Sequence, residues 1–79
     1  MPKRKVKTDF LDALESHYQA EIEKNLATLS LYLNNPIAVA DHTNLMEDMK
    51  GLTTSLAEAS DALEVLERYF EKDEDDEIR

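Results

Sequence analysis

The chain has 79 residues with one glycine, two prolines and no cysteine, and 18 acidic residues against nine basic ones give it a net charge of −9. This length allows one domain, and so small a domain buries only about 60% of the surface that its unfolded chain exposes. The lack of cysteine excludes disulfides and thiolate metal sites, so oligomerisation is the remaining way to stabilise the core. The many Leu, Ala, Glu and Lys residues predict an all-α protein.

The first residues do not form an export signal. They are basic, but Asp9, Asp12 and Glu15 follow before any apolar run develops. The longest apolar cluster, at residues 29–33, is far shorter than the roughly 20 residues that span a bilayer. We therefore expect a cytoplasmic protein that has no contact with a membrane.

The first helix is predicted over residues 9–34, with Thr8 or Asp9 as its cap. Its inward-facing residues recur at a mean spacing of about 3.67 residues, which is typical of a nearly straight helix. The pattern stops at Asn35-Pro36, because proline disfavours a helical conformation in the residue before it. The inward-facing residues are Leu11, Leu14, Tyr18, Ile22, Leu26, Leu29 and Leu33.

The second helix is predicted over residues 43–70, after a loop at residues 35–42 whose apolar segment 37–40 folds over the end of the bundle. Asp41, His42 or Thr43 is expected to cap this helix. Its apolar residues alternate in steps of four and three, the pattern of a coiled-coil seam. These residues are Leu45, Met49, Leu52, Leu56, Ala59, Leu63, Leu66 and Phe70.

A short loop between two such helices predicts an all-α antiparallel two-helix hairpin. Further apolar residues flank both seams and widen the apolar stripe beyond what one partner helix covers. We therefore predict that the hairpin self-associates into a helical bundle, either a dimeric four-helix bundle or a larger ring, and that the seam residues form its core and interface. The flanking residues are Phe10, Leu31, Tyr32, Met46, Val65 and Tyr69.

Gly51 interrupts the second seam. A glycine inside a helix costs about 1 kcal/mol relative to alanine. It marks either a close approach of another helix or a tolerated weakness, and the sequence does not separate these two interpretations.

Opposite charges gather at the two ends of the chain. Residues 1–7 form a basic arm with Lys3, Arg4, Lys5 and Lys7, whereas residues 71–79 form an acidic tail that is predicted to be disordered. An antiparallel hairpin places both at the same end. Three interpretations stay open: the two segments neutralise each other, the arm binds nucleic-acid phosphate, or the acidic tail and bundle bind a basic protein surface.

No constellation of residues indicates catalysis or a cofactor. His17 and Glu21 stand four residues apart, but a metal site needs more ligands than this pair supplies. The serines have no histidine at a plausible relay distance, and a single glycine cannot form a phosphate-binding loop. His42, beside the loop, is interpreted as a capping or hinge residue. We therefore predict no enzyme activity, no metal and no cofactor.

A family resemblance covers the loop and its flanks. It rests on the sequence Tyr32-Leu33-Asn34-Asn35-Pro36-Ile37-Ala38-Val39-Ala40-Asp41-His42, followed by Leu45 and by residues 57–63. This sequence resembles small acidic proteins of tailed phages of marine bacteria, in which an Asn-Pro-apolar loop ending in histidine joins two helices. The relatives carry glycine in the loop where this chain has Ala38 and Ala40. The resemblance implies a phage origin and a helical hairpin rather than an activity.

The architecture also resembles the central hairpin of phage small-terminase subunits, which form rings that handle DNA during packaging. We therefore expect a non-enzymatic oligomeric adaptor protein, encoded by a phage, that binds itself and another protein. It would act in the host cytoplasm or on the virion. The alternative is an accessory factor that handles nucleic acid in packaging or replication and uses the basic arm.

Overall fold

The computed structural model describes residues 2–35 and 44–73, which form a hairpin of two long helices with a small sheet at its open end. Strand β1 is Arg4–Val6, helix α1 is Thr8–Asn34, helix α2 is Leu45–Tyr69 and strand β2 is Phe70–Lys72. The two helices pack against each other along their lengths. This arrangement confirms the predicted all-α helical hairpin.

Helix α1 begins one residue earlier than predicted, and its N-cap is neither Thr8 nor Asp9. Lys7 takes this position with φ −60° and ψ 129°, without a side-chain cap bond. Its carbonyl oxygen accepts a hydrogen bond from the backbone N–H of Leu11 at 3.2 Å. The cap lies at Lys7 because this residue directly follows β1 and is therefore still extended.

Helix α2 is shorter than predicted at both ends. It begins at Leu45 after an N-cap at Asn44, and it ends at Tyr69. Phe70 was expected to be helical, but it is extended, with φ −130° and ψ 151°, because it is the first residue of β2. The proposed caps at 41–43, His42 and the apolar segment 37–40 lie outside the described residues.

The two strands form a parallel pair that was not predicted. Arg4 lies opposite Phe70, and Val6 lies opposite Lys72. The backbone N–H of Asp73 extends the pairing by donating to the carbonyl oxygen of Val6 at 3.0 Å. The disorder predicted from residue 71 therefore does not hold for Glu71 and Lys72, because backbone pairing with β1 satisfies their polar groups. Residues 74–79 lie outside the described part of the chain.

The hairpin is a single layer of helices, and its interior is small. The molecule measures 52 × 26 × 16 Å, whereas one helix with its side chains is roughly 10–12 Å across. Among the described apolar residues only Leu11, at 4% exposed, and Ala59, at 6%, are buried. Most predicted seam residues are half-buried, and three of them, Leu14, Leu26 and Leu33, are exposed. The half-buried ones are Tyr18, Ile22, Leu29, Leu45, Met49, Leu52, Leu56, Leu63, Leu66 and Phe70.

A polar residue occupies the small interior. Asn25 is 4% exposed, and its side-chain amide nitrogen has no hydrogen-bond partner among residues 2–35 and 44–73. A buried donor without an acceptor costs about 1–3 kcal/mol of folding free energy. Asn25 therefore weakens the contact between the two helices of one chain.

Replacing Asn25 by leucine should raise the free energy of unfolding by about 1–3 kcal/mol, because an apolar side chain of similar size removes the unpaired amide. Urea denaturation followed by circular dichroism measures this change. The exposed Gln19→Leu variant serves as the control and should differ from the wild type by less than about 0.5 kcal/mol. A less stable Asn25→Leu protein would contradict the expectation.

Within the described part of the chain, Gly51 does not mark a close approach, because a Cβ atom added there meets nothing within 4 Å. Gly51→Ala should therefore stabilise α2 by about 1 kcal/mol through its higher helix propensity. Thermal unfolding of the two proteins at equal concentration tests this. A loss of stability would instead show that another molecule packs against Gly51.

Candidate interaction surfaces

Large apolar side chains are exposed along both flanks of the contact between α1 and α2. Five of them belong to two surfaces at opposite ends of the hairpin, one near the loop and one beside the sheet, whereas Leu31, Val65 and Tyr69 lie outside both. The exposed large apolar residues among those described are Phe10, Leu14, Leu26, Leu31, Leu33, Met46, Val65 and Tyr69.

The loop-end apolar face consists of Leu26, Leu29, Leu33, Met46 and Met49. The last four line a shallow hollow of about 460 Å³ between the helices, together with Lys50, Thr53 and Thr54. Leu26 precedes Leu29 by three residues and Leu33 by seven, so these three side chains share one face of α1. Leu33 and Met46 are 64% and 63% exposed. One chain thus leaves this face uncovered.

The three leucines of the loop-end apolar face lie in the longest stretch of the chain without a charged residue. The sequence has no charged residue between Lys24 and Asp41, and none between Lys50 and Glu58. Lys50, at the edge of the hollow, forms an ion pair with Glu47 at 3.0 Å. The leucines of this face were predicted to be core residues. The stretches without charged residues are the sequence signal that could have identified them as a surface instead.

The second surface, the open-end groove, lies beside the sheet. Its lining combines the charged residues Lys5, Lys7 and Asp73 with the apolar side chains of Val6, Phe10, Leu11, Leu14, Leu66 and Phe70. The groove has a volume of about 530 Å³, and Phe10 is 75% exposed. The parallel pairing of the strands creates it, because this pairing holds Val6 and Phe70 beside the ends of both helices. No sequence pattern indicated this groove.

The two surfaces lie on different flanks of α1. Leu14 in the groove and Leu26 in the loop-end face are twelve residues apart, which corresponds to about 120° around the helix at about 100° per residue. The buried Leu11 and Asn25 lie between these two directions, against α2. A molecule bound at one surface therefore leaves the other accessible.

The four basic residues of the predicted arm lie in different local environments. Lys5 and Lys7 line the groove. Lys3 instead lines a separate hollow, whose other charged residues are Glu15, Glu67, Glu71 and Lys72. Arg4 is exposed in β1. The residues proposed for nucleic-acid binding thus do not form one continuous basic cluster.

Lys72 is part of the acidic tail as predicted, but it is folded against α1. Its ammonium group lies 2.7 Å from the carboxylate of Asp12. This ion pair is partly exposed, so its contribution to stability is about 1 kcal/mol or less. It fixes β2 against the start of α1.

A tyrosine–aspartate pair joins the helices near the loop. The Tyr32 hydroxyl donates a hydrogen bond to Asp48 at 3.4 Å, beside a hollow that Thr28, Gly51 and Ser55 also line. Desolvation raises the pKa of Tyr32 above its usual value, and the charge of Asp48 and this hydrogen bond raise it further. The folded chain therefore holds the phenolic proton more tightly than the unfolded chain does.

This raised pKa makes stability depend on pH. The contribution of Tyr32 to the free energy of unfolding is fully present below the unfolded pKa of about 10 and is lost as the pH rises through the folded pKa.

Asp48→Asn should lower the pKa of Tyr32, because it removes the neighbouring charge. NMR shifts of the Tyr32 ring against pH measure this change. The exposed Asp61→Asn change should leave the titration unaltered. An unchanged titration in Asp48→Asn would contradict the assignment.

The remaining polar candidates do not assemble into a site. The His17 ring makes an edge contact with the Tyr18 ring at 5.0 Å between centroids, and Glu21 forms an ion pair with Lys24 at 3.4 Å. Residues 2–35 and 44–73 contain no group of three or more His, Asp or Glu side chains placed to hold a metal ion. Neither described helix combines the length and apolarity needed to cross a membrane.

Comparison of the chain with protein-family models, curated proteins and solved structures finds no match. The two apolar surfaces are therefore the features from which a function is argued.

Proposed function

We propose that this chain is a non-enzymatic adaptor protein that self-associates through its loop-end apolar face and binds another protein. The observation that carries the proposal is the small interior of the single chain. Two apolar residues are buried among those described, whereas eight large apolar side chains are exposed. A stable domain is normally built of at least two packed layers, and this hairpin supplies one. A second copy supplies the other.

The charge pattern favours the loop-end face as the contact between copies. Each copy carries a net charge of −9, so association brings two acidic molecules together. Repulsion is weakest where the surfaces that meet carry the fewest charges, and the segments from Lys24 to Asp41 and from Lys50 to Glu58 have no charge between their ends. A twofold axis through this face would place each Leu26 and Leu33 against the same face of the partner.

We further propose that the protein acts in the cytoplasm, and in the host cytoplasm or on the virion if it is encoded by a phage. The phage origin, implied by the resemblance of the loop, stays a prediction. Nucleic-acid handling through Lys3, Arg4, Lys5 and Lys7 also stays a prediction, and the carboxylates around Lys3 weaken it. A gel shift at low salt would test it directly.

Leu26→Lys combined with Leu33→Lys should convert the oligomer to monomers. Each leucine contributes about 1.5–3 kcal/mol when it is fully buried, so each change should raise the dissociation constant by about tenfold or more. Sedimentation velocity over a concentration series measures this constant. Added salt should strengthen the wild-type association, because it screens the repulsion between like-charged copies.

Leu31→Lys is the matched control, since Leu31 is equally exposed but lies on the opposite side of α1, about 200° from Leu29. It should leave the dissociation constant within about twofold of the wild type. A wild-type chain that is monomeric and fully folded at high micromolar concentration would sink the proposal of self-association.

A further inference from the structure

We propose that Met46, with Met49 beside it, is an oxidation site that controls the contact between copies, so that a hydroperoxide separates them. This inference rests on the proposed self-association through the loop-end apolar face. It adds a chemical signal that regulates this face. The group that reacts is the thioether sulfur of methionine, and the product is methionine sulfoxide.

The readily oxidised sulfur atoms of the chain are concentrated at this face. The sequence has three methionines and neither cysteine nor tryptophan. Met46 and Met49 are the two methionines within residues 2–35 and 44–73, and both line the hollow of the loop-end face. An oxidant that attacks thioethers therefore finds two of its three targets where the copies are proposed to meet.

The two methionines differ in their access to solvent. Met46 is the second residue of α2 and is 63% exposed, whereas Met49 is half-buried. A peroxide has to reach the sulfur atom before it can react, so the more exposed side chain is oxidised faster. Met46 should therefore react first, and Met49 should follow more slowly.

The reaction transfers one oxygen atom to the sulfur. The sulfur attacks the hydroxyl oxygen of the hydroperoxide, a sulfur–oxygen bond forms and the oxygen–oxygen bond breaks. The hydroxyl proton passes to the leaving oxygen. The sulfur loses two electrons, and the peroxide is reduced to an alcohol, or to water when the oxidant is hydrogen peroxide. Methionine sulfoxide reductases reverse this oxidation.

A sulfoxide is favoured in solvent and disfavoured inside a contact between copies. Oxidation converts a flexible apolar side chain into a polar one, and a polar group that is buried without a hydrogen bond opposes association. Two polar side chains of the hollow already donate hydrogen bonds. Thr53 donates to the carbonyl oxygen of Met49 at 2.8 Å, and Lys50 donates to Glu47 at 3.0 Å.

Oxidation acts on copies that have separated. Met46 is exposed in the single chain, whereas in the proposed contact a second copy covers it. A chain that is oxidised while separated binds a second copy less tightly, so the reaction removes it from the association equilibrium. A high protein concentration should correspondingly protect Met46 from the oxidant.

The test uses the full-length protein before and after treatment with hydrogen peroxide, with the excess oxidant removed by gel filtration. Peptide mass spectrometry gives the oxidised fraction of each methionine, and sedimentation velocity gives the dissociation constant. Oxidation of Met46 should raise this constant by about tenfold or more. The rate of Met46 oxidation should also fall as the protein concentration rises through the dissociation constant.

Variants assign the effect to these side chains. Met46→Leu combined with Met49→Leu nearly conserves side-chain volume, so this protein should still associate, and peroxide should leave its dissociation constant unchanged. Met46→Gln places a polar side chain at this position and should weaken association without peroxide. Leu31→Met, added to the double leucine variant, is the matched control. Its oxidation should leave association unchanged, because Leu31 is exposed outside the loop-end face.

Three results would overturn the proposal. One is an unchanged dissociation constant after Met46 has been oxidised. Another is a loss of helical circular dichroism together with association, since oxidation would then unfold the chain instead of altering its surface. A third is an equal loss of association in the peroxide-treated Met46→Leu and Met49→Leu protein, which would assign the sensitive group elsewhere.

The untreated wild type keeps the failures of the two proposals apart. If it sediments as a monomer at every concentration, both the self-association and its control by oxidation are overturned. If it associates, and the fully oxidised protein associates equally well, only the control by oxidation is overturned.

Discussion

Two helices make one layer, and most other features of this molecule depend on that constraint. A helix in a single-layer hairpin has one neighbour, which covers only part of an apolar stripe as wide as the one on α1. The middle of the stripe holds Leu11 and the edges hold Leu14 and Leu26, so the middle is buried while the edges stay in solvent. The exposed surfaces are thus a geometric result of the fold, and not a few isolated apolar residues.

The interior also contains one polar side chain, which lowers the free energy that a single chain gains by folding. Asn25 places an amide in the contact between the helices where an apolar side chain would have packed. The contact between its two helices therefore stabilises such a hairpin little, and burial of its apolar flanks against other molecules stabilises it more. The charge pattern favours the loop-end leucines for a contact between like-charged copies, because residues 25–40 and 51–57 carry no charge.

The helices were predictable because their signal is local. The spacing of Leu11 to Leu33 and of Leu45 to Leu66 depends only on the geometry of a helix, and the prediction of an all-α hairpin is confirmed. The start of α1 and the end of α2 were not predictable, because Lys7 and Phe70 are extended through a pairing between the two ends of the hairpin, whereas the end of α1 at Asn34 was predicted. Local propensity contains no information on such a distant contact.

The candidate surfaces were predictable only in part. The leucines of the loop-end face were recognised as apolar seam residues, but the seam pattern does not say which positions one partner helix leaves uncovered. That depends on how the two stripes meet, and here they leave Leu26 and Leu33 outside while Ala59 is buried. The groove could not be predicted at all, since Val6 and Lys5 become part of it through the strand pairing.

The parallel strand pair also has a consequence for the order of events during synthesis and folding. The groove combines Val6 with Phe70, which lie near opposite ends of the described chain, so Phe70 is synthesised long after Val6. This pairing joins the segments that lie farthest apart along the described chain, so its loop-closure entropy cost is the highest in the hairpin and is lower once the helices have packed. A growing chain therefore presents its loop-end leucines before it possesses a groove. Any partner that recognises the groove distinguishes a finished, fully folded molecule from an unfinished one.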